Sequence, residues 1–385
     1  MADDPTFAVF DPDLPAAVGD TPAVAVDLVR LNRNIDRMAR RARAGGVALR
    51  PHIKTHKSLA IMQRQLAAGA KGITASKSSE AAIFAAGGAP SVTIAYPLLD
   101  PAKIDRVLAA AATPQTGLRF VVDSPAGVRA LGAAARRTGA MLDALVEVDV
   151  GLHRCGIDPG ADAGLALVRT IDADPHVCFA GLLSHAGQAY RAVNAEAVRD
   201  VARTERRIMI DLAERLRKDG IEVGEVSVGS TPSVVLNDGF EGITEIRPGN
   251  YVFMDRTQIA LGVAGLADIA LWVVATVVSA NDRFAIIDAG SKVLSSDAGP
   301  HGSDALAGFG LAWHADDPGR GAMTIAALSE EHGFVVHDGK PPAIGTRLVI
   351  LPNHACPVAN LAREFMVVEG RTARRWPVDA RGCVS

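Results

Sequence analysis

A run of basic side chains around Lys54 carries the residue types that could do covalent chemistry. If the chain from Val47 to Thr55 is a strand, alternation places four potential cations on one face: Arg50, His52, Lys54 and His56. Such a cluster is costly to bury unless it meets an anion, and the crowding favours the neutral, nucleophilic form of a central lysine. The surroundings suit Schiff-base formation with an anionic aldehyde cofactor. The alternative is a strand end with a solvated basic tip.

Further polar groups follow later strands of the chain. Arg154 lies in a polar tip behind one predicted strand, and His185 directly follows another. The turns at residues 228–233 and 247–251 offer side-chain and backbone donors suited to a phosphate. Each turn alone is more often an ordinary turn. Two such turns on the last strands of a barrel, however, lie where barrels bind phosphate.

A second cluster contains His354 and Cys356, two residues apart. In an extended segment both side chains point the same way and could bind one soft or borderline metal ion. Two ligands are a weak signal, because structural zinc takes four. The spacing alone therefore favours a histidine and a cysteine that serve as core residues.

The elements that position these groups alternate between strand and helix over the first two thirds of the chain. Counting from the strand before Lys54 gives about eight parallel strands, the number that closes a (β/α)8 TIM-type barrel. An open doubly wound sheet is the alternative, but no G-x-G-x-x-G follows a strand. Past Gly262, short strands follow one another without helices, which predicts an all-β domain.

The sequence thus predicts an α/β protein with an N-terminal barrel over residues 21–262 and a C-terminal β domain over residues 263–385, which carries the His-Cys cluster. Whether residues 1–20 pack on the β domain is left open.

Composition excludes several classes of protein. The 385 residues are 49% hydrophobic and 22% charged, with a formal net charge of -3 and no long basic run, so no nucleic-acid partner is expected. The acidic start is not a signal peptide, and no apolar run reaches membrane-spanning length. Four scattered cysteines predict reduced thiols and a cytoplasmic protein. Neither a Walker loop, an H-E-x-x-H nor a G-x-S-x-G motif supports an NTPase or a hydrolase.

Seven motifs, in the same order from about Thr21 to the end, resemble the D-threonine aldolase / D-serine dehydratase family of alanine-racemase-like, fold-type III pyridoxal-phosphate enzymes. They are RPHIKTHK (50–57), VEVDVGLHRCG (146–156), VGSTPS (228–233), RPGNYVFMD (247–255), DAGSK (288–292), SEEHG (329–333) and PNHACP (352–357). The resemblance implies a barrel, a C-terminal β domain, pyridoxal 5'-phosphate and a homodimer.

The same resemblance implies roles for individual residues. Lys54 matches the Schiff-base lysine, with His52 beside it, and Arg154 matches an arginine near the ring oxygen of the cofactor. Five residues match the phosphate-holding turns: Ser230, Thr231, Gly249, Asn250 and Tyr251. His354 and Cys356 match the ligands of a divalent metal, Zn²⁺ or Mn²⁺, that holds the β-hydroxyl of a β-hydroxy-D-amino acid.

Two reactions remain open for such a site. Loss of the β-hydroxyl proton, with His185 or a metal-bound hydroxide as base, cleaves Cα–Cβ as in an aldolase. Loss of the Cα proton to Lys54, with departure of hydroxide, gives a dehydratase acting on D-serine or 3-hydroxy-D-aspartate. Cys356 and Gln188 resemble dehydratases more, whereas the whole-chain pattern favours the aldolase narrowly.

Other chemistries are less favoured. A racemase needs a tyrosine base from the C-terminal domain, but all three tyrosines precede that domain. A decarboxylase that uses Cys356 as proton donor is a further alternative, but that reaction gives His354 no role. A non-catalytic pyridoxal-phosphate carrier built from a lone barrel has no use for a β domain.

Overall fold

The structure is a computed structural model that describes residues 9–111, 116–299 and 306–385. The chain divides into two compact units. The barrel unit contains Arg37–Gly249 together with Gly382–Ser385, and the β unit contains the residues up to Asp36 together with Asn250–Arg381.

Strands of the described residues are β1 (Ala23–Asp27), β2 (Ala48–Leu49), β3 (Ile73–Ala75), β4 (Ser91–Ile94), β5 (Gly117–Val122), β6 (Leu142–Val148), β7 (Val177–Ser184), β8 (Glu225–Val228), β9 (Glu245–Ile246), β10 (Leu271–Ala280), β11 (Phe284–Ile287), β12 (Gly310–His314), β13 (Met323–Leu328), β14 (Gly333–Val336), β15 (Arg347–Pro352), β16 (Glu364–Glu369) and β17 (Thr372–Pro377).

Helices of the same residues are α1 (Leu14–Ala17), α2 (Leu28–Ala44), α3 (Leu59–Ala67), α4 (Ser78–Ala86), α5 (Pro101–Ala110), α6 (Pro125–Thr138), α7 (Ala163–Asp172), α8 (Ala195–Lys218), α9 (Thr231–Leu236), α10 (Arg256–Ala260), α11 (Ser291–Leu294) and α12 (Ala355–Leu361). Short 3₁₀ turns include Ile53–Thr55, Gly187–Arg191 and Asn250–Val252. No helix of the described residues is both long and apolar enough to cross a membrane.

The barrel unit is built on eight parallel strands in the order β2-β9-β8-β7-β6-β5-β4-β3. The two ends of this sheet also meet, because His52 forms a parallel bridge with Thr74 and the Thr74 N–H donates to the Pro51 carbonyl at 2.8 Å. The sheet therefore closes. The expected (β/α)8 barrel is confirmed, and the strand ends of β2 to β9 form a shared mouth where barrels carry their sites.

Charged side chains occupy the interior of this barrel. Arg119 on β5 bonds to Glu225 on β8, although β6 and β7 lie between these strands, so the contact crosses the interior. Arg50 Nε lies 2.6 Å from Glu245 Oε2, and both side chains are buried. Burial raises the pKa of Glu225 and the adjacent Glu245 carboxylate raises it further, while arginines oppose both effects.

The β unit is a nine-stranded sheet in the order β11-β14-β13-β12-β15-β10-β1-β16-β17. Its core contains Trp272, which is fully buried and makes edge-to-face contacts with Phe10 and Trp313. Arg347 donates hydrogen bonds to the carbonyls of Pro15, Val18 and Gly19, which holds that segment on β15. The β domain expected after Gly262 is present as this sheet.

The boundaries of the two units differ from the expected 21–262 and 263–385. Strand β1 pairs with β10 and β16 in the antiparallel sheet, not with the barrel strands, and the β unit resumes at Asn250. An apolar run shows that a strand exists but carries no information on which sheet it joins. Within the segment 1–20, residues 1–8 lie outside the described residues.

The long strand expected from Val47 to Thr55 is wrong. Strand β2 contains two residues, and the chain then enters the 3₁₀ turn Ile53–Thr55. Pro51 lacks the N–H that a continuing ladder would need. The expected single cationic face is therefore absent: Arg50 is buried against Glu245, and His56 is buried against Gln65.

Candidate functional site

Lys54 lies on the 3₁₀ turn that directly follows β2, at the mouth of the barrel. Its side chain is half-buried, and its backbone N–H donates to His52 Nδ1 at 3.5 Å. The turn is closed by the N–H groups of His56 and Lys57, which both donate to the Ile53 carbonyl, at 3.1 and 2.8 Å. The lysine thus sits on a short, internally bonded turn.

Four basic side chains lie near His52. Burial lowers the pKa of His52 well below its ordinary value, and the positive charges of Lys54, His185, Arg247 and Arg154 lower it further. His52 is therefore neutral at physiological pH. The structure thus brings four of the predicted site residues, His52, Lys54, Arg154 and His185, into one region rich in basic side chains.

His185 follows β7 and lies beside the Gly229 carbonyl, with Nδ1 at 3.4 Å. Below it, the buried Glu205 of α8 accepts hydrogen bonds from Ser184 Oγ at 2.7 Å and from the Gly229 N–H at 3.1 Å. Burial raises the pKa of Glu205, and these donors oppose the rise. Glu205 thus joins the ends of β7 and β8.

Arg154 is the most exposed of the predicted cofactor residues, with 46% of its side chain exposed. Its Nη2 lies 3.9 Å from Oε1 of the buried Glu147. Glu147 lies near the end of strand β6, at the barrel mouth. Burial raises the pKa of Glu147, and Arg154 opposes that effect.

The predicted phosphate turns follow β8 and β9. Ser230 caps the N-terminus of α9, where it bonds Ser233, and Thr231 is fully buried. Gly229 has a φ of +112°, and a Cβ there would lie 2.6 Å from Val234 Cγ2. A larger residue would therefore strain the turn.

Gly249 lies directly against the turn that carries Lys54. A Cβ at position 249 would be 2.9 Å from Thr55 Oγ1 and 3.1 Å from the His52 carbonyl oxygen. The His52 N–H also donates to the Pro248 carbonyl at 3.0 Å. The second predicted phosphate turn and the lysine turn are therefore in contact.

Asn250 and Tyr251 belong to the β unit, as do His354 and Cys356. Tyr251 is fully buried. Asn250 Nδ2 donates to Asp255 Oδ2 at 2.7 Å and lies 3.9 Å from Cys356 Sγ. Asn250 Oδ1 is buried with no hydrogen-bond partner among the described residues.

His354 and Cys356 lie at the start of helix α12, not in an extended segment. His354 precedes the helix and its Nδ1 contacts Asp297 Oδ2 at 2.8 Å. Burial disfavours the charged imidazole, but the Cys356 sulfur and the Asp297 carboxylate outweigh it and raise the pKa of His354 to about 10. The histidine and cysteine side chains are thus adjacent, although the extended segment expected from their spacing is absent.

The barrel mouth fits an anionic aldehyde such as pyridoxal phosphate. It supplies a lysine amine among basic side chains. It also has glycines at positions 229 and 249, where a Cβ would fill the available space. The His-Cys pair fits a borderline metal less completely. Asp297 engages Nδ1 of His354 and so orients Nε2 as the ligand atom, but the described residues contain no cluster of three or more metal-binding side chains.

Several residues of this region were not singled out as site residues from the sequence. Glu205 lies on a long helix with a charged face, so nothing in the pattern marks it as buried. Arg247 and Glu147 stand within quoted motifs, and their alternation with apolar neighbours was the available signal. Asp297, by contrast, lies 57 residues from His354 and follows no recognisable pattern.

Comparisons with known proteins match both parts of the chain to known domain families. The alanine racemase N-terminal domain matches residues 26–257, and a putative serine dehydratase domain matches residues 270–368. The fold and the lysine-bearing barrel mouth define an alanine-racemase-like enzyme, for which pyridoxal phosphate is the implied cofactor.

Individual relatives indicate which family of alanine-racemase-like enzymes the chain belongs to. D-threo-3-hydroxyaspartate dehydratase of Delftia sp. (strain HT23) is 38% identical over 88% of this chain and 91% of its own length. D-threonine aldolase of an Arthrobacter species is 36% identical over 96% of this chain and 95% of its own length. The chain belongs to the family of D-threonine aldolases and D-serine dehydratases, whose named members are lyases.

The solved structure of the Delftia dehydratase has a TM-score of 0.86 at 34% identity, and the match covers 95% of this chain and 98% of that one. A D-threo-3-hydroxyaspartate dehydratase has also been solved as a histidine variant and as a cysteine variant at positions two residues apart, the latter in a metal-free form.

Proposed function

We propose that this protein is a lyase dependent on pyridoxal phosphate and a divalent metal, and that it cleaves β-hydroxy-D-amino acids of the D-threonine type to glycine and an aldehyde. The single observation that carries the proposal is Lys54 on its bonded turn at the barrel mouth, amid His52, His185, Arg154 and Arg247. An amine so placed suits attachment of an anionic aldehyde.

Bound pyridoxal phosphate supplies an electron sink for negative charge at the substrate Cα. The chain's own residues have separate roles. Lys54 anchors the cofactor and then holds a proton at its Nζ. Neutral His52 packs beside Lys54 without adding a positive charge. Ser230, Thr231 and Gly249 hold the phosphate, while Arg154 faces the cofactor ring.

In the cleavage reaction, His185 takes the proton from the substrate β-hydroxyl. Its ring lies at the end of β7, and Glu205 fixes the neighbouring Ser184 and Gly229. A divalent ion held by His354 Nε2 and Cys356 Sγ would polarise the β-oxygen as a Lewis acid. Asp297 and Asn250 orient these two ligands.

Dehydration of D-serine or 3-hydroxy-D-aspartate to a keto acid and ammonia is the second candidate. The observation that favours it is the adjacent histidine and cysteine, because a D-threo-3-hydroxyaspartate dehydratase has been solved as variants of a histidine and a cysteine with the same spacing. In this reaction Lys54 Nζ takes the Cα proton, and an ion held by His354 and Cys356 would favour loss of the β-hydroxyl as a Lewis acid.

The test incubates the protein with pyridoxal phosphate and Mn²⁺ or Zn²⁺, and separately with D-threonine, D-serine and D-threo-3-hydroxyaspartate. Glycine plus aldehyde identifies the aldolase, whereas ammonia plus keto acid identifies the dehydratase.

Lys54→Ala should abolish both turnover and the visible absorbance of lysine-bound cofactor. The matched control is Lys71→Ala, which removes an exposed lysine of the same unit and should change neither. Turnover of L-isomers alone would overturn both candidates.

The assembly and the compartment are proposed with the function. We propose a homodimer that works in the cytoplasm, where the four free cysteines stay reduced. Analytical ultracentrifugation tests the dimer, and a monomer at assay concentration would contradict it.

A further inference from the structure

The turn that carries Lys54 ends at a residue whose backbone is strained. Lys57 has a φ of +50°, in the left-handed region that side chains with a Cβ rarely adopt. Its N–H nevertheless donates to the Ile53 carbonyl at 2.8 Å and so closes the turn around Lys54. A strained residue persists only where its surroundings hold it.

Those surroundings are contacts of the Lys57 side chain, of which only 6% is exposed. Lys57 Nζ lies 3.1 Å from Oε1 of the buried Glu80 and donates to the Cys383 carbonyl at 3.0 Å. The other oxygen of Glu80 accepts from the N–H groups of Ser76 and Lys77 at the start of α4. The ammonium is therefore fixed on one side by α4 and on the other by a distant part of the chain.

That distant part is Gly382–Ser385, which is grouped with the barrel unit although the residues before it belong to the β unit. The Ser385 carbonyl oxygen accepts hydrogen bonds from the Ser79 N–H at 3.0 Å, from Ser79 Oγ at 2.8 Å and from Ser78 Oγ at 3.2 Å. Arg106 Nη1 also lies 3.4 Å from Ser385 Oγ. The segment is thus bonded at Ser385 to α4 and at Cys383 to Lys57.

We propose that Gly382–Ser385 acts as a strap that, through Lys57, positions the turn carrying Lys54 and so sets the affinity of the barrel for its cofactor. Lys57 is a positioning residue in this scheme, since it acts through the turn. The inference rests on the proposed function only in taking Lys54 as the attachment point for pyridoxal phosphate.

The first experiment measures cofactor binding. Lys57→Met removes the ammonium, and deletion of residues 382–385 removes its carbonyl partner; each should raise the dissociation constant for pyridoxal phosphate by about tenfold, as loss of a supporting contact does at ligand sites. Because both changes break one chain of contacts, the combined variant should be little worse than either alone. Lys57→Arg should restore most of the affinity, and Lys71→Met is the exposed-lysine control.

The second experiment needs no cofactor. Hydrogen exchange of the apo protein should quicken in the peptide containing residues 53–57 for both variants, while peptides from α6 keep the exchange of the unaltered chain. The double variant Ser78→Ala with Ser79→Ala loosens the strap without touching Lys57 and should give the same pattern, which keeps the proposal testable if Lys57→Met fails to fold.

Two results would overturn the strap. One is unchanged cofactor affinity and exchange in all of these variants. The other is full additivity of Lys57→Met with the deletion. Failure of the unaltered protein to take up pyridoxal phosphate is a different outcome, since it contradicts the proposed function while the exchange experiment still reports on the strap.

Discussion

His52 and His56 flank Lys54 at equal distances along the chain, yet their surroundings differ. His52 stands among the cations of the barrel mouth, whereas His56 bonds Gln65 through Nε2 at 3.2 Å and accepts from the Ser58 N–H through Nδ1. Of the two, His52 lies among the basic side chains near Lys54, and His56 connects the turn to helix α3.

His56 should make the protein sensitive to acid. Burial lowers the pKa of His56 to about 3, although its two hydrogen bonds oppose the shift. As pH falls below the ordinary value near 6.5, the unfolded chain takes up a proton that the folded chain refuses, so stability is lost progressively toward the folded pKa. Between pH 7 and pH 5 this effect lowers the free energy of unfolding by about 2 kcal/mol. Urea unfolding of His56→Asn at both pH values should show a smaller loss than the unaltered protein by about that amount.

The same acid loss in both proteins would show that His56 is protonated when folded.

Cys356 should govern metal content. A soft thiolate beside an imidazole suits Zn²⁺, so Cys356→Ser should lower zinc affinity by at least about tenfold. Elemental analysis after dialysis against a zinc buffer measures the loss, and chelation of the unaltered protein should abolish turnover reversibly. Cys178→Ser changes an exposed cysteine and should retain full metal content. Equal zinc in the two variants would remove Cys356 from the metal site.

At the scale of single elements, local sequence patterns predicted much of the structure. The face containing Leu31, Ile35 and Met38 is buried in helix α2, as its spacing of three and four residues indicated. The predictions from local patterns failed where contacts outside the pattern determine the local conformation. Pro51 and the closing contact with Thr74 cut β2 short, and His354 caps a helix because its surroundings, not its spacing, set the local conformation.

The candidate site shows the same division. Two of the predicted site residues, Lys54 and His185, lie in the segments that follow strands β2 and β7, and a barrel brings strand ends together whatever the helices do. The sequence did not predict the contacts of Glu205 and Asp297 or those between Lys57 and the strap. Each of these contacts joins residues that no short sequence pattern connects.

Strand β7 depends on a glycine for its approach to β8. Gly181 has a φ of +148°, and a Cβ there would fall on the Glu225 carbonyl oxygen and 2.7 Å from the Glu225 nitrogen. Gly181→Ala should therefore destabilise the protein by about 3 kcal/mol or more, measured by urea unfolding. Gly117→Ala, whose Cβ would meet nothing closer than 3.7 Å, should change stability by less than about 1 kcal/mol. Equal effects would mean that β7 relaxes away from β8.

The barrel as a whole encloses charge where most barrels enclose branched aliphatic residues. Arg50 and Glu245 are both buried and 2.6 Å apart, and Ser227 Oγ donates to the same glutamate at 2.7 Å. Arg50→Met leaves a buried carboxylate without its main cation and should cost about 3–5 kcal/mol of unfolding free energy. Arg136→Met, which breaks a half-exposed pair with Asp174, should cost no more than about 1 kcal/mol. Similar costs for the two variants would mean that water reaches the Arg50 pair.

The position of β1 has a consequence for biosynthesis. This strand is translated before the barrel strands but lies between β10 and β16, which are translated only after β9. The nascent chain therefore carries an apolar strand with both edges unpaired during most of its elongation, which is a known hazard for premature association. Any factor that shields residues 23–27 on the emerging polypeptide should raise the yield of native protein, and translation stalled before residue 364 should produce aggregates.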